Sequence, residues 1–384
     1  MGIETLGCDQ TRLDRVTARI EADIAAGSSD GCAVIVSRRG EIVYREVRGY
    51  ADREADRALS ENDTFATMSV GKQFTNALVL SKIDSGSLHL HMHVGDIIPE
   101  FKARGLRTIT LFHLLTHTSG IESEWPSVSL DVLLDIGALT AHAAGRRPEA
   151  RPGEAVAYSA VVAHSILAEI VRRADGGSRS YTQIMTEDLF RPLGMNDTAL
   201  GPRADLLDRL CPVKPKFTED MIPAEAIYSM NAILRMEGEL PAGGYVTTIG
   251  DLHRFTMMLR NKGTLDGFRL LSPRLIEYCA QNFTGNLTNS LWDYTRDMKG
   301  WEPWPASMGI GFWVRGEGIQ PGPLSNLSSP NTFGGWGAGS AAFWIDPELD
   351  LTFAFLSAGL MSAADHIERI QRLSDLVIGA VVEL

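Results

Sequence analysis

The sequence of 384 residues lacks the features of membrane, secreted and nucleic-acid-binding proteins. No apolar run approaches the roughly 20 residues that a membrane-spanning helix needs. The first residues, Met1–Gly7, show neither the charged nor the apolar region of a secretory signal. Acidic residues outnumber basic ones by 48 to 36, for a net charge of −12, and no basic stripe is present. We therefore expect a cytoplasmic protein that binds neither nucleic acid nor membranes.

Metal and phosphate motifs are also missing. The sequence contains four widely spaced cysteines: Cys8, Cys32, Cys211 and Cys279. Without a C-x-x-C pair they indicate reduced thiols rather than a zinc site or a redox pair. No G-x-x-x-x-G-K-[ST] loop is present to bind phosphate. We expect no cofactor.

Histidines occur in two patterns that metal sites also use. His89, His91 and His93 alternate as ligands on a strand would, but their segment is rich in turn signals and typical of an exposed connector. His113 and His117 are four residues apart, yet the glutamate of the H-E-x-x-H zinc motif is missing. We expect no metal at either place, and a structural role for the second pair.

Apolar residues make up 44% of the chain, enough for a large core. Periodicity predicts helices at residues 9–26, 110–116, 157–173, 248–259 and 363–382, and strands at 32–37, 41–48, 308–315, 340–345 and 351–357. Because strands come from both ends of the chain, the pattern predicts one antiparallel sheet flanked by the terminal helices, with an inserted all-helical lobe. Residues 1–75 with 240–384 would form the α/β domain and 76–239 the helical domain. The active site would lie in the cleft between them.

The stretch with the clearest chemical content is Thr67–Lys72, at the start of an apolar helix. Unpaired N–H groups at a helix start favour negative charge that develops near Ser69. Lys72 follows one turn later on the same face, so its amine can take the proton that makes a serine hydroxyl nucleophilic. Burial would lower the lysine pKa enough for this role. Alone, S-x-x-K also fits an N-cap serine followed by a solvated lysine.

Two later segments supply groups that such a pair needs. Tyr158 precedes a helical run, and a phenol beside a Ser–Lys pair can relay protons to a leaving group. By itself it also fits a tyrosine at a helix entry. The glycine-rich run Phe333–Ser340, in or beside an edge strand, lets a substrate backbone approach closely. A strand N–H there would join the Ser69 N–H in an oxyanion hole, although a loop that closes a strand is the plainer interpretation.

The order Ser69-x-x-Lys72, then Tyr158-Ser159, then a glycine-rich motif near Trp336 resembles the serine β-lactamase and penicillin-binding-protein superfamily. More narrowly, it is similar to the class C β-lactamase-like serine hydrolases, which include family VIII carboxylesterases. The resemblance extends from about residue 31 to residue 357. Connecting stretches match as well: Leu114–Gly120, Arg151–Glu154, Pro192–Met195 and Pro241–Tyr245.

This resemblance implies a β-lactamase/transpeptidase-like fold, α/β plus α, and an acyl-enzyme mechanism. Ser69 is then the acylated nucleophile, Lys72 the base that activates it, and Tyr158 a partner in proton transfer. The oxyanion hole is then formed by the backbone N–H groups of Ser69 and of Ala338 or Gly339.

Two departures from the family pattern point away from β-lactams. The second motif usually reads Tyr-x-Asn, but Ala160 takes the Asn position, which removes a donor and an acceptor for the substrate amide. The third motif reads Trp336-Gly337-Ala338, so an apolar ring replaces the cation that holds a β-lactam carboxylate. This form resembles family VIII esterases. We expect Ala160, Trp336 and Gly337 to contact the substrate. No G-x-S-x-G elbow surrounds Ser69, so an α/β-hydrolase is unsupported.

Tryptophan is concentrated in one part of the chain, where six of the seven lie between residues 292 and 344. Core packing suits Trp313 and Trp344. Trp301 and Trp304 lie in what resembles a loop, and we expect them to wall a substrate pocket.

The sequence therefore predicts a serine hydrolase, in the first place a carboxylesterase of small to medium neutral esters. The alternative is an acyltransferase or an amide-forming enzyme of secondary metabolism, with the same Ser–Lys–Tyr site and an acceptor other than water. An amidase or D-peptidase, a weak β-lactamase and a non-catalytic binding protein on this scaffold are further alternatives. The expected partner is a small acyl substrate, and a homo-oligomer is left open.

Overall fold

The computed structural model describes residues 2–103 and 105–383. The strands are β1 (Gly31–Arg38), β2 (Glu41–Asp52), β3 (Arg57–Ala58), β4 (Phe65–Ala66), β5 (Ala199–Leu200), β6 (Tyr245–Thr247), β7 (Thr264–Leu265), β8 (Phe268–Arg269), β9 (Trp313–Val314), β10 (Phe333–Gly337), β11 (Ala341–Asp346) and β12 (Leu351–Ala358).

The α-helices are α1 (Gln10–Ala25), α2 (Gly71–Asp84), α3 (Val94–Ile97), α4 (Leu111–Leu115), α5 (Leu130–Leu133), α6 (Ile136–Ala144), α7 (Val162–Ala174), α8 (Tyr181–Met185), α9 (Ala204–Leu207), α10 (Ala224–Ile233), α11 (Ile249–Arg260), α12 (Pro273–Cys279), α13 (Asp293–Lys299) and α14 (Ala363–Ile378). Within the described ranges, none of them combines the length and apolarity needed to cross a bilayer.

The main sheet has seven strands in the order β3-β2-β1-β12-β11-β10-β9. Strands β1 and β2 form the predicted hairpin, and β1 also pairs antiparallel with β12 from Gly31↔Ala358 to Arg38↔Leu351. The two ends of the chain therefore meet in the middle of one antiparallel sheet, as the sequence predicts.

Both faces of this sheet are covered, so β1 and β12 are buried along their whole length and are mostly apolar. Side chains alternate between the faces, so Ala33 and Ile35 join the core shared with α11 and the helical lobe. Val34 and Val36 join a second core, where the terminal helices α1 and α14 pack against the sheet and each other. The predicted arrangement of an antiparallel sheet, flanking terminal helices and a helical lobe is confirmed.

A smaller sheet in the order β4-β6-β5 leads into the S-x-x-K motif. After β4 the Thr67 N–H donates to the Tyr245 carbonyl at 3.0 Å, and the chain then enters the 3₁₀ turn Met68–Val70 and helix α2. Helix α2 is buried, with the Phe74 ring packed edge-on against Tyr245 and Phe255. This packing holds the helix that follows Ser69 in a fixed position. Since α2 runs across residue 75, the predicted division into domains stays a prediction.

The predicted strand at residues 308–315 is wrong over most of its length. Gly309 and Gly311 turn the chain, with Gly311 at φ +82° and the Gly309 N–H donating to the Phe312 carbonyl at 2.9 Å. Only β9 remains, and it pairs with Phe333 and Gly334 of β10. The rest of β10 has no β9 partner on that side and runs past the catalytic turn.

Candidate active site

Ser69 lies in the tight 3₁₀ turn that opens helix α2. The preceding residue, Met68, has φ +46°, a left-handed conformation that is costly for a residue with a side chain. Backbone strain of this kind is common where a nucleophile is displayed at a sharp turn. Ser69 thereby reaches the wall of the large cavity described below.

Lys72 is buried directly behind the serine. Its Nζ atom lies 3.2 Å from the Ser69 Oγ and donates to the carbonyl oxygens of Ala160 at 2.7 Å and Ala242 at 3.0 Å. Burial lowers the pKa of the amine to about 7, and no carboxylate of the described residues forms an ion pair with it. A neutral amine has two N–H groups for the two carbonyls and one lone pair for the serine O–H. The contacts therefore suit a general base.

Tyr158 is held beside this pair between two rings. The His117 imidazole stacks on one side with centroids 4.2 Å apart, and the Trp313 indole stacks at 5.5 Å. The Lys72 Nζ lies 5.1 Å from the centre of the phenol ring. Burial raises the pKa of the Tyr158 phenol and the nearby Ser69 side chain opposes that rise. The phenol therefore stays protonated at neutral pH and can donate or relay a proton.

The glycine-rich segment runs beside the nucleophile. A Cβ atom on Gly337 would stand 2.7 Å from the Thr67 carbonyl oxygen and 3.2 Å from the Ser69 nitrogen, so only glycine allows this approach. The chain then turns at Ala338 and Gly339, with Gly339 at φ +69°. Ala338 lines the cavity, and the Gly339 carbonyl is bound by the Met361 N–H at 3.0 Å.

A cavity of about 760 Å³ opens in front of these groups. Besides Ser69, Lys72 and Tyr158, its lining includes four segments of the chain: residues 123–125, 220–230, 240–243 and 290–294. Most of the lining is apolar and includes Ala160 and Trp336, whose contact with a substrate stays a prediction. The charged groups on the wall, apart from Lys72, are the carboxylates of Glu124 and Asp220.

Trp336 stands where the third motif of the family usually has a cation, and its indole is buried against other aromatic rings. It is 4% exposed, meets Trp292 edge-on at 5.3 Å and lies 5.3 Å from the His366 ring. No lysine or arginine of the described chain takes over the position on the cavity wall. The site therefore offers no positive charge for a substrate carboxylate beyond the amine of Lys72.

The expectation that Trp301 and Trp304 wall the pocket is wrong. Trp304 stacks on Trp292 at 6.2 Å and Trp301 meets Trp304 edge-on at 6.1 Å, so both belong to the aromatic core beneath the site. Their positions on the wall are taken instead by Leu291 and Tyr294 of the same region. The sequence shows two aromatic clusters in this region, and it does not tell which one faces the cavity.

The sequence does not reveal that His117 contacts Tyr158. Its spacing from His113 indicates a helical pair, whereas helix α4 ends at Leu115 and His117 turns towards Tyr158 with φ +55°. The alternating His89, His91 and His93 are exposed, and the described residues contain no group of three side chains placed to hold a metal. The four cysteines are free.

Comparison with known proteins agrees with this geometry. The chain matches the Beta-lactamase family over residues 16–377. Protein Rv1367c of Mycobacterium tuberculosis is 26% identical over 90% of this chain and 89% of its own length. Esterase EstB of Burkholderia gladioli is 42% identical, over 24% of each chain.

Solved structures share the fold across nearly the whole chain. A family VIII carboxylesterase superposes with a TM-score of 0.78 at 23% identity, covering 96% of this chain and 97% of its own. EstCE1, described as a hydrolase with promiscuous acyltransferase activity, gives 0.73 at 19% identity, covering 95% and 98%. At these identities the likeness establishes the β-lactamase/transpeptidase-like fold. Together with the match over residues 16–377, it shows that the chain belongs to the Beta-lactamase family.

Proposed function

We propose that this protein is a carboxylesterase that cleaves neutral esters through an acyl-enzyme on Ser69. The observation that carries the proposal is the buried Lys72 amine, 3.2 Å from the Ser69 hydroxyl, whose pKa burial lowers to about 7. Such an amine is neutral in a large fraction of molecules at physiological pH. It can accept the serine proton without a histidine or a metal.

Acylation uses the three side chains in turn. The neutral Lys72 amine takes the Ser69 proton as Oγ attacks the ester carbonyl carbon, and the carbonyl π electrons move to its oxygen. When the tetrahedral intermediate collapses, the C–O bond to the alcohol breaks. The alkoxide takes the proton from the Lys72 ammonium through the Tyr158 phenol, which leaves a neutral amine, free alcohol and an acylated Ser69.

The oxyanion would be held by two backbone N–H groups. One belongs to Ser69, at the positive end of helix α2. We assign the second to Ala338, because Ala338 lines the cavity next to Ser69. The close approach that Gly337 allows brings this strand end to the nucleophile.

Deacylation reverses the same proton path. Water attacks the acyl carbon and gives its proton, through Tyr158, to the neutral Lys72 amine. Collapse of the second intermediate breaks the bond to Oγ, which recovers its proton from the Lys72 ammonium and releases the acid.

The cavity favours neutral acyl and alcohol groups of small to medium size. Its lining is mostly apolar, and its volume of about 760 Å³ falls in the usual range for small-molecule sites. Glu124 and Asp220 repel anions, and Trp336 provides an apolar contact where a cation would hold a carboxylate. Ala160 offers no side-chain hydrogen bond to an amide. These features count against β-lactams and peptides, whose recognition uses such groups.

The second candidate is an acyltransferase with the same first half-reaction. It is favoured by the open apolar cavity next to Ser69, which has room for an alcohol or amine acceptor, and by the fold shared with EstCE1. The two functions differ only in what attacks the acyl-enzyme.

The test is hydrolysis of p-nitrophenyl acetate, butyrate and octanoate by wild type and Ser69→Ala. The proposal expects turnover that the variant lacks, and weaker turnover of a matched ester with a terminal carboxylate. Adding a primary alcohol or amine shows whether acyl groups are transferred. Transfer that exceeds hydrolysis at millimolar acceptor would favour the acyltransferase, and no turnover with any ester would contradict the esterase.

A further inference from the structure

His117 makes three separate contacts with Tyr158 and its two chain neighbours. The Ser159 N–H donates to the His117 Nδ1 at 3.1 Å, and the Ala157 N–H donates to the His117 carbonyl at 3.0 Å. Between these two bonds, the imidazole lies on the phenol ring with centroids 4.2 Å apart and planes 24° apart. One residue therefore binds the chain on both sides of the tyrosine and also supports its ring.

The segment that carries Tyr158 depends on such support. Tyr158 belongs to neither a helix nor a strand, since α7 begins only at Val162. Besides the bonds to His117, the Tyr158 N–H donates to the Asn289 side-chain oxygen at 3.3 Å. The position of the phenol is thus set by contacts with other segments rather than by regular secondary structure.

His117 is itself fixed in an unusual conformation. Its φ of +55° belongs to the left-handed region, and its side chain is 4% exposed. Next to it the Gly153 N–H donates to the Thr118 carbonyl at 2.8 Å, which ties the turn to the segment that leads to Tyr158. Burial, with a smaller contribution from nearby Lys72, lowers the pKa of the imidazole to about 3. The ring is therefore neutral, and Nδ1 stays an acceptor with the proton on Nε2.

From this geometry we infer that His117 is a positioning residue for the proposed acyl transfer: it holds the Tyr158 phenol in line with Ser69 and Lys72 through the Nδ1 bond and the ring contact. The inference rests on the proposed function, because it gives Tyr158 a role in proton transfer. Proton transfer is sensitive to sub-ångström displacement, so a loosened phenol lowers kcat before it lowers binding. His117 does not line the cavity in the described chain, so KM should change little.

Two substitutions of His117 distinguish the need for a hydrogen-bond acceptor from the need for a residue that adopts a positive φ. Asparagine and glycine both tolerate positive φ, and both remove the ring contact. Only His117→Asn places an oxygen near the position of Nδ1, where the Ser159 N–H can still donate. We expect kcat within about tenfold of wild type for His117→Asn, and a fall of roughly 100-fold or more for His117→Gly, the range of a lost proton-transfer group. KM should stay within about threefold in both variants.

A double-mutant cycle with Tyr158→Phe distinguishes positioning from general support of the fold. Once the phenol hydroxyl is gone, His117→Gly should reduce kcat by no more than about threefold further. Melting temperatures of the two His117 variants indicate how much of the loss comes from stability. Equal activity of His117→Asn and His117→Gly, or an undiminished effect of His117→Gly in the Tyr158→Phe background, would overturn the inference.

A fluorophosphonate probe keeps this test separate from the test of the esterase. The probe phosphonylates the Ser69 Oγ as the P–F bond breaks and fluoride leaves, so no water is needed, and the adduct is read by intact-protein mass. If wild type is labelled but hydrolyses no ester, the esterase proposal fails, and the labelling rates of His117→Asn and His117→Gly still decide the role of His117. Absence of labelling in wild type would overturn both.

Discussion

The Lys72 Nζ and the Ser69 Oγ are 3.2 Å apart, and the amine is held there by the carbonyl oxygens of Ala160 and Ala242. One carbonyl belongs to the segment that carries Tyr158 and the other to the segment that leads into β6. The amine is therefore positioned by two segments that lie far apart in the chain. Its environment also sets the pH at which it can act.

The pH dependence of acylation should report the titration of Lys72. Burial lowers the pKa of this amine to about 7, so it is protonated and inactive as a base below that pH. We expect kcat/KM for a neutral ester to rise through pH 7, falling about tenfold per unit below pH 6 and levelling off above pH 8. The measurement is initial rate against pH, with circular dichroism to exclude unfolding. A flat profile, or an inflection near the ordinary lysine value, would contradict this role.

Gly337→Ala should impair catalysis by pushing β10 away from the nucleophile. The added methyl would meet the Thr67 carbonyl oxygen at 2.7 Å and the Ser69 nitrogen at 3.2 Å. If the displaced strand moves one N–H donor out of reach of the oxyanion, kcat should fall by roughly 100-fold. Gly250→Ala is the matched control, since its methyl would lie 3.9 Å from the Thr248 Oγ1, an ordinary contact distance, and should leave kcat unchanged. Equal activity of both variants would show that Gly337 is not needed to place β10 beside Ser69.

Ala160→Asn should shift the enzyme towards amide-containing substrates. Ala160 lines the cavity, so an amide side chain at this position can donate to and accept from the substrate. One added hydrogen bond predicts a gain of about tenfold in the amide-to-ester ratio of kcat/KM. The comparison uses a matched p-nitroanilide and p-nitrophenyl ester, with Ala160→Ser as the control for polarity alone. A ratio that does not change would show that the missing Asn is not what limits amide cleavage.

Charge on the cavity wall should select against anionic esters. Glu124 lies on the wall beside Trp125. Removing its charge by Glu124→Gln predicts a gain of roughly threefold in kcat/KM for an ester with a terminal carboxylate, with no change for the neutral analogue. The gain should shrink at high salt. Glu41→Gln, an exposed substitution outside the cavity lining, is the control. A similar gain in both variants would indicate an effect of net charge rather than of the wall.

Much of the fold follows from patterns that a sequence displays directly. The β-branched apolar run in β1, the apolar run of α2 and the helical spacing in α14 each correspond to a buried part of the fold, and each element is found where it is predicted. The strand predicted at 308–315 is wrong because two glycines among its apolar residues turn the chain. The hydrophobicity of this segment correctly predicts that it is buried, but the conformation of its backbone is not that of a strand.

The candidate site is only partly visible in the sequence, for a physical reason. Ser69 and Lys72 are one helical turn apart, so their contact is local and predictable. His117 and Tyr158 are 41 positions apart in the chain, and their stacking depends on a left-handed turn that no periodicity signals. Likewise, Trp304 and Tyr294 are both aromatic residues of one region, and only the packing places Tyr294 on the cavity wall.

A covalent acyl group on Ser69 can be detected by intact-protein mass after rapid mixing with p-nitrophenyl butyrate. We expect a transient mass increase of one butyryl group, mapped by proteolysis to the peptide that contains Ser69, and absent from Ser69→Ala. The adduct should persist longer in Tyr158→Phe, because deacylation uses the phenol. Hydrolysis without any adduct, or an adduct on another residue, would contradict it.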